Sequence, residues 1–302
     1  MARDWPSVFD TWAKPVSDTE GEKCERAERM IRAAIAKSPK LQSHQLRVAA
    51  QGSYRNDTNV RQDSDVDICV CCTDVVITDY AHTPNASDAL LGYSPSPYTQ
   101  AEFRNDVGDA LRAYFGGDGV TRGDKAFDVH ANTVRVDADV VAAFQHRLFY
   151  RNPDGTYDYN SGTNILADSG KSIMNFPDQH YDNGCAKNVS TGYAFKRLVR
   201  IVKRLRNEMA DAGAAAAKPV PSYLMECLLW NVPDEHYRNA RFFEDVRDAL
   251  LYLYDQLNAA DGSLQDWLEV NGIKYLFRPA QPWTREIALN FVRAAWAYVG
   301  FE

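Results

Sequence analysis

Residues 51–70, QGSYRNDTNVRQDSDVDICV, hold two features that constrain each other. A short apolar run at 46–50 enters Gly52-Ser53, and Asp65 and Asp67 then lead into Ile68, Val70 and three cysteines. In an extended strand alternate side chains share a face, so Asp65 and Asp67 project together. Two carboxylates that close repel, and the pKa of one rises unless a cation sits between them. Hard oxygen ligands suit Mg²⁺, which takes one or two carboxylates together with substrate phosphates. The Gly-Ser step offers open backbone N–H groups and a hydroxyl to a phosphate, the more so if a helix starts at Tyr54. A lone DxD is usually a solvated turn or strand end, and a lone GS means little. The two together, between β-prone runs, are far more specific.

This combination resembles the signature of the polymerase-β-like nucleotidyltransferases, a helix–turn GS followed by alternating apolar and acidic residues. The form QGSYRN followed by NVR and DSDVDI is most similar to the bacterial CD-NTases, the cGAS/DncV-like nucleotidyltransferases. The resemblance implies a third acid on a neighbouring strand. Residues 133–144, TVRVDADVVAAF, place it at Asp139, with Asp137 of the same parity held in reserve. Ala142 stands where many relatives carry proline.

The implied fold class is α+β and bilobed, a nucleotidyltransferase palm of mixed sheet and flanking helices plus an α-helical C-terminal lobe. The expected division is 1–160 for the palm with its N-terminal helix and 161–302 for the helical domain. Asp65, Asp67 and Asp139 would be both catalytic and metal-binding, holding two Mg²⁺ ions with Mn²⁺ as a substitute. Gln51, Gly52 and Ser53 would bind nucleotide. Lys203 matches a family lysine that reaches the triphosphate, and Ser222 a phosphate contact. Tyr223 matches a residue that stacks on a base, core packing being its equal alternative. The implied reaction joins NTPs, ATP among them, into a cyclic di- or trinucleotide with release of pyrophosphate. The product would be a second messenger that activates a downstream effector in antiphage defence, and a regulatory protein partner is compatible with such a system. Transfer to an RNA, protein or small-molecule acceptor, and an inactive nucleotide-binding sensor, are the competing readings.

Toward the N-terminus, Ser17 and Glu20 form a capping box for a helix to about residue 36, with Cys24, Ala27, Ile31 and Ile35 on one stripe. Residues 1–16, with two prolines, read as a loose leader. Downstream, residues 73–98 contain Pro84, Pro95 and Pro97 and read as a surface loop. Thr99 and Glu102 form a second capping box for a helix ending at Gly116-Gly117. Strands are expected at 126–130, 133–144 and 148–151. Residues 152–190 are rich in Asn, Asp, Gly and Ser without periodicity, and the resemblance continues through 175–188, where family members carry a linker between lobes. SGKS at 169–172 is not a phosphate loop, because the earlier glycine it needs is Ile165.

From residue 192 the pattern is helical. Phe195, Leu198, Val202, Leu205 and Met209 make an apolar stripe; Lys196, Arg200 and Lys203 make a basic one, ordinarily a solvated face. Pro221 suits the first turn of an almost wholly apolar helix that would hold Ser222 rigidly at its positive end. Phe243, Val246, Leu250, Leu253 and Leu257 mark another amphipathic helix, and a last one follows Thr284.

The totals fit such an enzyme. A chain of 302 residues with 45% hydrophobic residues can bury a normal core. A net charge of −7 without a long basic run disfavours duplex nucleic acid as a partner. Six cysteines, three of them in CVCC at 69–72 within an expected buried strand, read as reduced thiols of a cytoplasmic protein rather than a zinc site. No signal peptide or membrane-length apolar run is evident.

Overall fold

The computed structural model describes residues 3–60, 65–259 and 264–301. In chain order its elements are α1 (Trp5–Trp12), α2 (Asp18–Ala36), β1 (Leu46–Ala50), α3 (Gly52–Arg55), β2 (Val66–Asp79), α4 (Asp88–Leu91) and α5 (Gln100–Phe115). Then come β3 (Val120–Arg122), β4 (Phe127–Val129), β5 (Ala138–Arg151), β6 (Tyr157–Leu166), β7 (Ser172–Asn175) and α6 (Pro177–Ser190). The chain continues with α7 (Phe195–Asp211), α8 (Ser222–Trp230), α9 (Phe242–Asn258) and α10 (Arg285–Val299). Two compact units result, a sheet unit (Ser17–Arg55 and Asp63–Pro177) and a helical unit (Met1–Val16, Asn56–Gln62 and Asp178–Glu302).

In the sheet unit, strand alternation sorts β2 into two sets. Val66, Ile68, Val70 and Cys72 pack with Ala138, Val140, Ala142 and Phe144 of β5 against Ile31 of α2 and Phe103, Val107 and Leu111 of α5. Each fully buried large apolar side chain contributes about 1.5–3 kcal/mol. Cys69 and Cys71 point the other way, meeting Val141, Ala143 and Ile165. Asp67 shares their parity, so it lies on the face away from α2 and α5. The strand order is β1-β2-β5-β4-β3, with β6 and β7 continuing from β5. β1 runs antiparallel to β2, and β2 parallel to β5.

Both expected helix starts form. The Ser17 hydroxyl accepts the Glu20 N–H, and at Thr99 the capping box is complete in both directions. Such a cap stabilises a helix by about 1 kcal/mol.

Three expectations are corrected. Residues 1–16 are no loose leader: Asp4 caps α1, Pro6 sits in its first turn where the ring is tolerated, and Phe9 is fully buried. β2 runs on to Asp79 past a register shift at Cys72/Val76, and α4 follows, so the 73–98 loop is shorter than its prolines suggest. β5 begins at Ala138 rather than 133, because the Asn132 side chain accepts the N–H groups of Val134 and Arg135 and competes with the ladder. Residues 152–190, aperiodic in sequence, are ordered: β6 pairs along the second half of β5, β7 closes a hairpin, and α6 spans most of 175–188. Pairing to a long neighbour overrides weak strand propensity there. Residue 160 lies within β6, and residues 3–16 and 56–60 group with the helical unit.

The helical unit has its own core, in which the α7 stripe Phe195, Leu198, Val202, Leu205 and Met209 is buried against α8, α9 and α10. No helix among the described residues is long and apolar enough to cross a membrane.

Candidate active site

The parallel pairing of β2 with β5 makes Asp67 and Asp139 register partners. Neighbouring strands lie about 4.8 Å apart, and register partners present their side chains to the same face. β4 adds a third member, since its Asp128 is the antiparallel partner of Asp139. Asp65 stands one residue before β2 and two before Asp67, and is exposed. Carboxylates from three adjacent strands and the lead-in to β2 thus gather on the sheet face away from α2 and α5.

Among the described residues Asp139 makes no ion pair. Partial burial, then the carboxylates of Asp128 and Asp137, hold its carboxyl above the usual range. Asp137 itself serves the loop. Its carboxylate accepts the Ala131 N–H and its carbonyl accepts the Val66 N–H at 3.1 Å.

The Gly-Ser step folds directly onto this row. The Gln51 N–H donates to the Asp67 carbonyl at 2.8 Å. Gly52 then takes φ +65°, and a Cβ there would meet Asp67 Oδ2 at 2.0 Å. Only glycine fits, on both conformational and steric grounds. The half-buried Ser53 follows at once in α3. Like charges drawn together in a row, one with its pKa already raised, beside a backbone bare of side chain, are a donor set that fits hard divalent cations. Asp65, Asp67 and Asp139 are the residues that could hold them.

Lys203, Ser222 and Tyr223 belong to the helical unit. Lys203 is only 2% exposed, and Lys196 and Arg200 are buried as well, so the basic stripe is not a solvated face. Lys203 Nζ donates to the Thr58 carbonyl at 3.0 Å and hydroxyl at 3.2 Å, and lies 3.4 Å from Glu226 Oε2. Three N–H donors meet three acceptors, a tie between α7, α8 and Thr58. Glu226 also accepts the Thr58 hydroxyl at 3.0 Å and lies 2.8 Å from His180 Nε2. Burial alone would raise its carboxyl, but Lys203 and His180 outweigh that and hold it at about 2. Arg200 donates to the carbonyls of Ala13 and Asp57.

Ser222 opens α8, and its hydroxyl accepts from Arg206 Nη2 at 2.7 Å. Tyr223 packs against His180 and Trp283, and its hydroxyl donates to Glu269 at 2.9 Å.

Comparisons with known proteins bear directly on this geometry. Residues 182–300 match the family described as the cGAS/DncV-like nucleotidyltransferase C-terminal helical domain. Over 299 residues, 99% of both chains, the sequence is 48% identical to the cyclic dipyrimidine nucleotide synthase CdnE of Legionella pneumophila. The chain belongs to the CD-NTase family. It is a nucleotidyltransferase of the group that makes cyclic nucleotides. Another CD-NTase, the cyclic dipyrimidine nucleotide synthase CdnE of Cecembia lonarensis, is 35% identical over the whole of both chains. The solved CdnE c-UMP-AMP synthase of Rhodothermus marinus, bound to Apcpp and Upnpp, superposes with a TM-score of 0.83 at 32% identity, covering 98% of this chain and 97% of that one.

Sequence reasoning missed Asp128, Arg206, and the partnership of Glu226 with Thr58 and His180. Asp128 had one available signal, its place between two apolar residues in FDV. That it lies beside Asp139 becomes visible only once β4 and β5 are paired.

Proposed function

We infer that this CD-NTase joins pyrimidine nucleoside triphosphates into a cyclic dinucleotide, with Asp65, Asp67 and Asp139 holding two Mg²⁺ ions. The observation that carries the site is the register pairing of Asp67 with Asp139 beneath Gly52. The pyrimidine choice is supported by the 48% and 35% identical relatives, both named cyclic dipyrimidine synthases.

Mg²⁺, or Mn²⁺ in its place, supplies Lewis-acid stabilisation of the triphosphate and a lowered pKa for an attacking ribose hydroxyl. The chain's own groups bind and orient. Gln51 fixes the start of the turn through its N–H, Gly52 keeps a side chain out of the carboxylate row, and Ser53 offers its hydroxyl to a phosphate oxygen. On the helical unit, Ser222, already paired with Arg206, is the proposed phosphate contact. In each round the hydroxyl oxygen bonds to an α-phosphorus, the α–β bridging bond breaks, pyrophosphate leaves and the hydroxyl proton passes to solvent. A second round closes the ring. The proposed setting is cytoplasmic, with the product activating an effector in antiphage defence.

Purified protein with Mg²⁺ and the four radiolabelled NTPs, singly and in pairs, tests this. A phosphatase-resistant product from UTP or CTP, identified as a cyclic dinucleotide by mass spectrometry, is the expected result. A linear product, or label transferred to an added acceptor, overturns cyclisation; an ATP-only product overturns the pyrimidine choice. Turnover by the purified chain alone also tells whether a regulatory protein partner is required.

A further inference from the structure

His44, Cys72 and Asp74 of the sheet unit converge on one point, and we propose that they form a second, separate metal site, for a borderline cation such as Zn²⁺. Cys72 Sγ donates to Asp74 Oδ1 at 2.8 Å, and His44 Nδ1 lies 3.1 Å from Asp74 Oδ2. One ligand atom from each residue lies within 4.8 Å of the others. Tetrahedral zinc with thiolate, imidazole and carboxylate ligands needs ligand atoms about 3.3–3.8 Å apart, which small side-chain rotations reach.

The backbone builds this convergence. β2 and β5 lose register between Cys72 and Val76, leaving residues 73–75 unmatched on β5. Thr73 anchors the bulge, its N–H donating to the Gln45 carbonyl at 2.8 Å and its hydroxyl to the same oxygen at 3.1 Å. Bulges re-aim side chains, and here Cys72 and Asp74 are brought to His44. The imidazole is also held in plane, stacked on Tyr98 with centroids 4.2 Å apart and rings 5° from parallel. Tyr98 is in turn fixed by its hydroxyl on Asp106 at 2.8 Å. Stacking of this kind fixes the plane of the imidazole and so the direction of its ring nitrogens.

Access and charge fit as well. Cys72 is fully buried, whereas the side chains of His44 and Asp74 are 20% and 32% exposed, an opening from one side. Binding would form a metal–sulfur bond as the Cys72 proton leaves to solvent, so thiolate and carboxylate neutralise a divalent ion. The sulfur and nitrogen ligands select zinc-like ions over Mg²⁺. Cys72 also packs in the core on the α2–α5 face, opposite the parity of Asp67, so this site is distinct from the carboxylate row. Its role would be to pin the turn before β1 to the bulge in β2.

The test is anaerobic Co²⁺ titration of the metal-stripped full chain, carrying Asp67→Asn to remove the carboxylate row as a competing site. A cobalt–thiolate charge-transfer band saturating at one equivalent, displaced by Zn²⁺ but not by excess Mg²⁺, is expected. It should vanish in Cys72→Ser, persist in Cys71→Ser, and need at least tenfold more Co²⁺ in His44→Gln. Absence of the band at saturating Co²⁺, its survival in Cys72→Ser, or an unchanged affinity in His44→Gln would overturn the site. If Cys72→Ser does not fold, the partly exposed His44 variant decides alone.

Discussion

Two clusters of charged residues in this molecule are built on opposite terms. On the sheet, Asp65, Asp67, Asp128 and Asp139 bring negative charge to one accessible face, and the pKa of Asp139 is raised by that company. In the helical unit, Lys203, Glu226, His180 and Thr58 are buried together with opposite charges matched, and the pKa of Glu226 is driven down. The first arrangement costs stability until a cation is supplied from outside; the second supplies its own counter-charge. Raised and lowered carboxylates separate a ligand site from a scaffold more sharply than acidic residue type does.

The largest expected effect strikes the first cluster. Asp67→Asn should reduce pyrophosphate release at least a thousandfold, about 4 kcal/mol of barrier, while thermal melting of the metal-free protein stays level or improves slightly. Retained turnover would erase the distinction between the clusters. Next comes the scaffold. Glu226→Gln leaves a buried lysine without its counter-charge and should cost about 3–5 kcal/mol by denaturant unfolding. The sign with pH is fixed by the lowered carboxyl: its contribution is present above the ordinary glutamate value of 4.5 and is lost as pH falls toward about 2. The gap between wild type and variant should therefore close on acidification, and a pH-independent gap would refute the ion network.

Ser53→Ala should raise the KM for NTP about tenfold, roughly 1.4 kcal/mol, with kcat less affected. An unchanged KM would remove Ser53 from the phosphate contacts. The smallest effect is on Asp139. Because its folded pKa is raised, the folded protein holds the proton more tightly, and stability falls as pH rises through that range. Asp139→Asn should thus stabilise the metal-free protein at neutral pH, by less than about 1 kcal/mol given solvent screening. Added Mg²⁺ should raise the melting temperature of wild type and leave that of the variant unmoved.

Reading the sequence alone failed where burial had to be known. Lys196, Arg200 and Lys203 at helical spacing look the same whether solvated or buried, since periodicity gives a common face and not its surroundings. Polar residues 157–166 make a poor strand by propensity, yet they pair along β5 because its second half offers an open edge. Pro6 read as a breaker because its position within a helix, the one place it is tolerated, depends on where Asp4 begins the cap. The Gly-Ser step, Asp65 and Asp67 were legible for the opposite reason, whereas alternation left Asp137 and Asp139 equal and only the resemblance chose between them. Strand alternation and the steric freedom of glycine are local rules that hold wherever the segment sits.

Local chemistry, then, is what the chain carries in its own order: the caps at Ser17 and Thr99, the alternation that turns Asp67 away from the core, and the glycine that no other residue can replace. Pairing and burial belong to the folded state. Which strand lies beside β2, that Asp128 joins Asp139, that Glu226 finds Lys203 and Thr58, and that a bulge swings Cys72 and Asp74 toward His44 all depend on contacts between residues distant in sequence. Such contacts form only when the whole core closes, because the entropy of bringing distant segments together is repaid by collective burial and by no single pair.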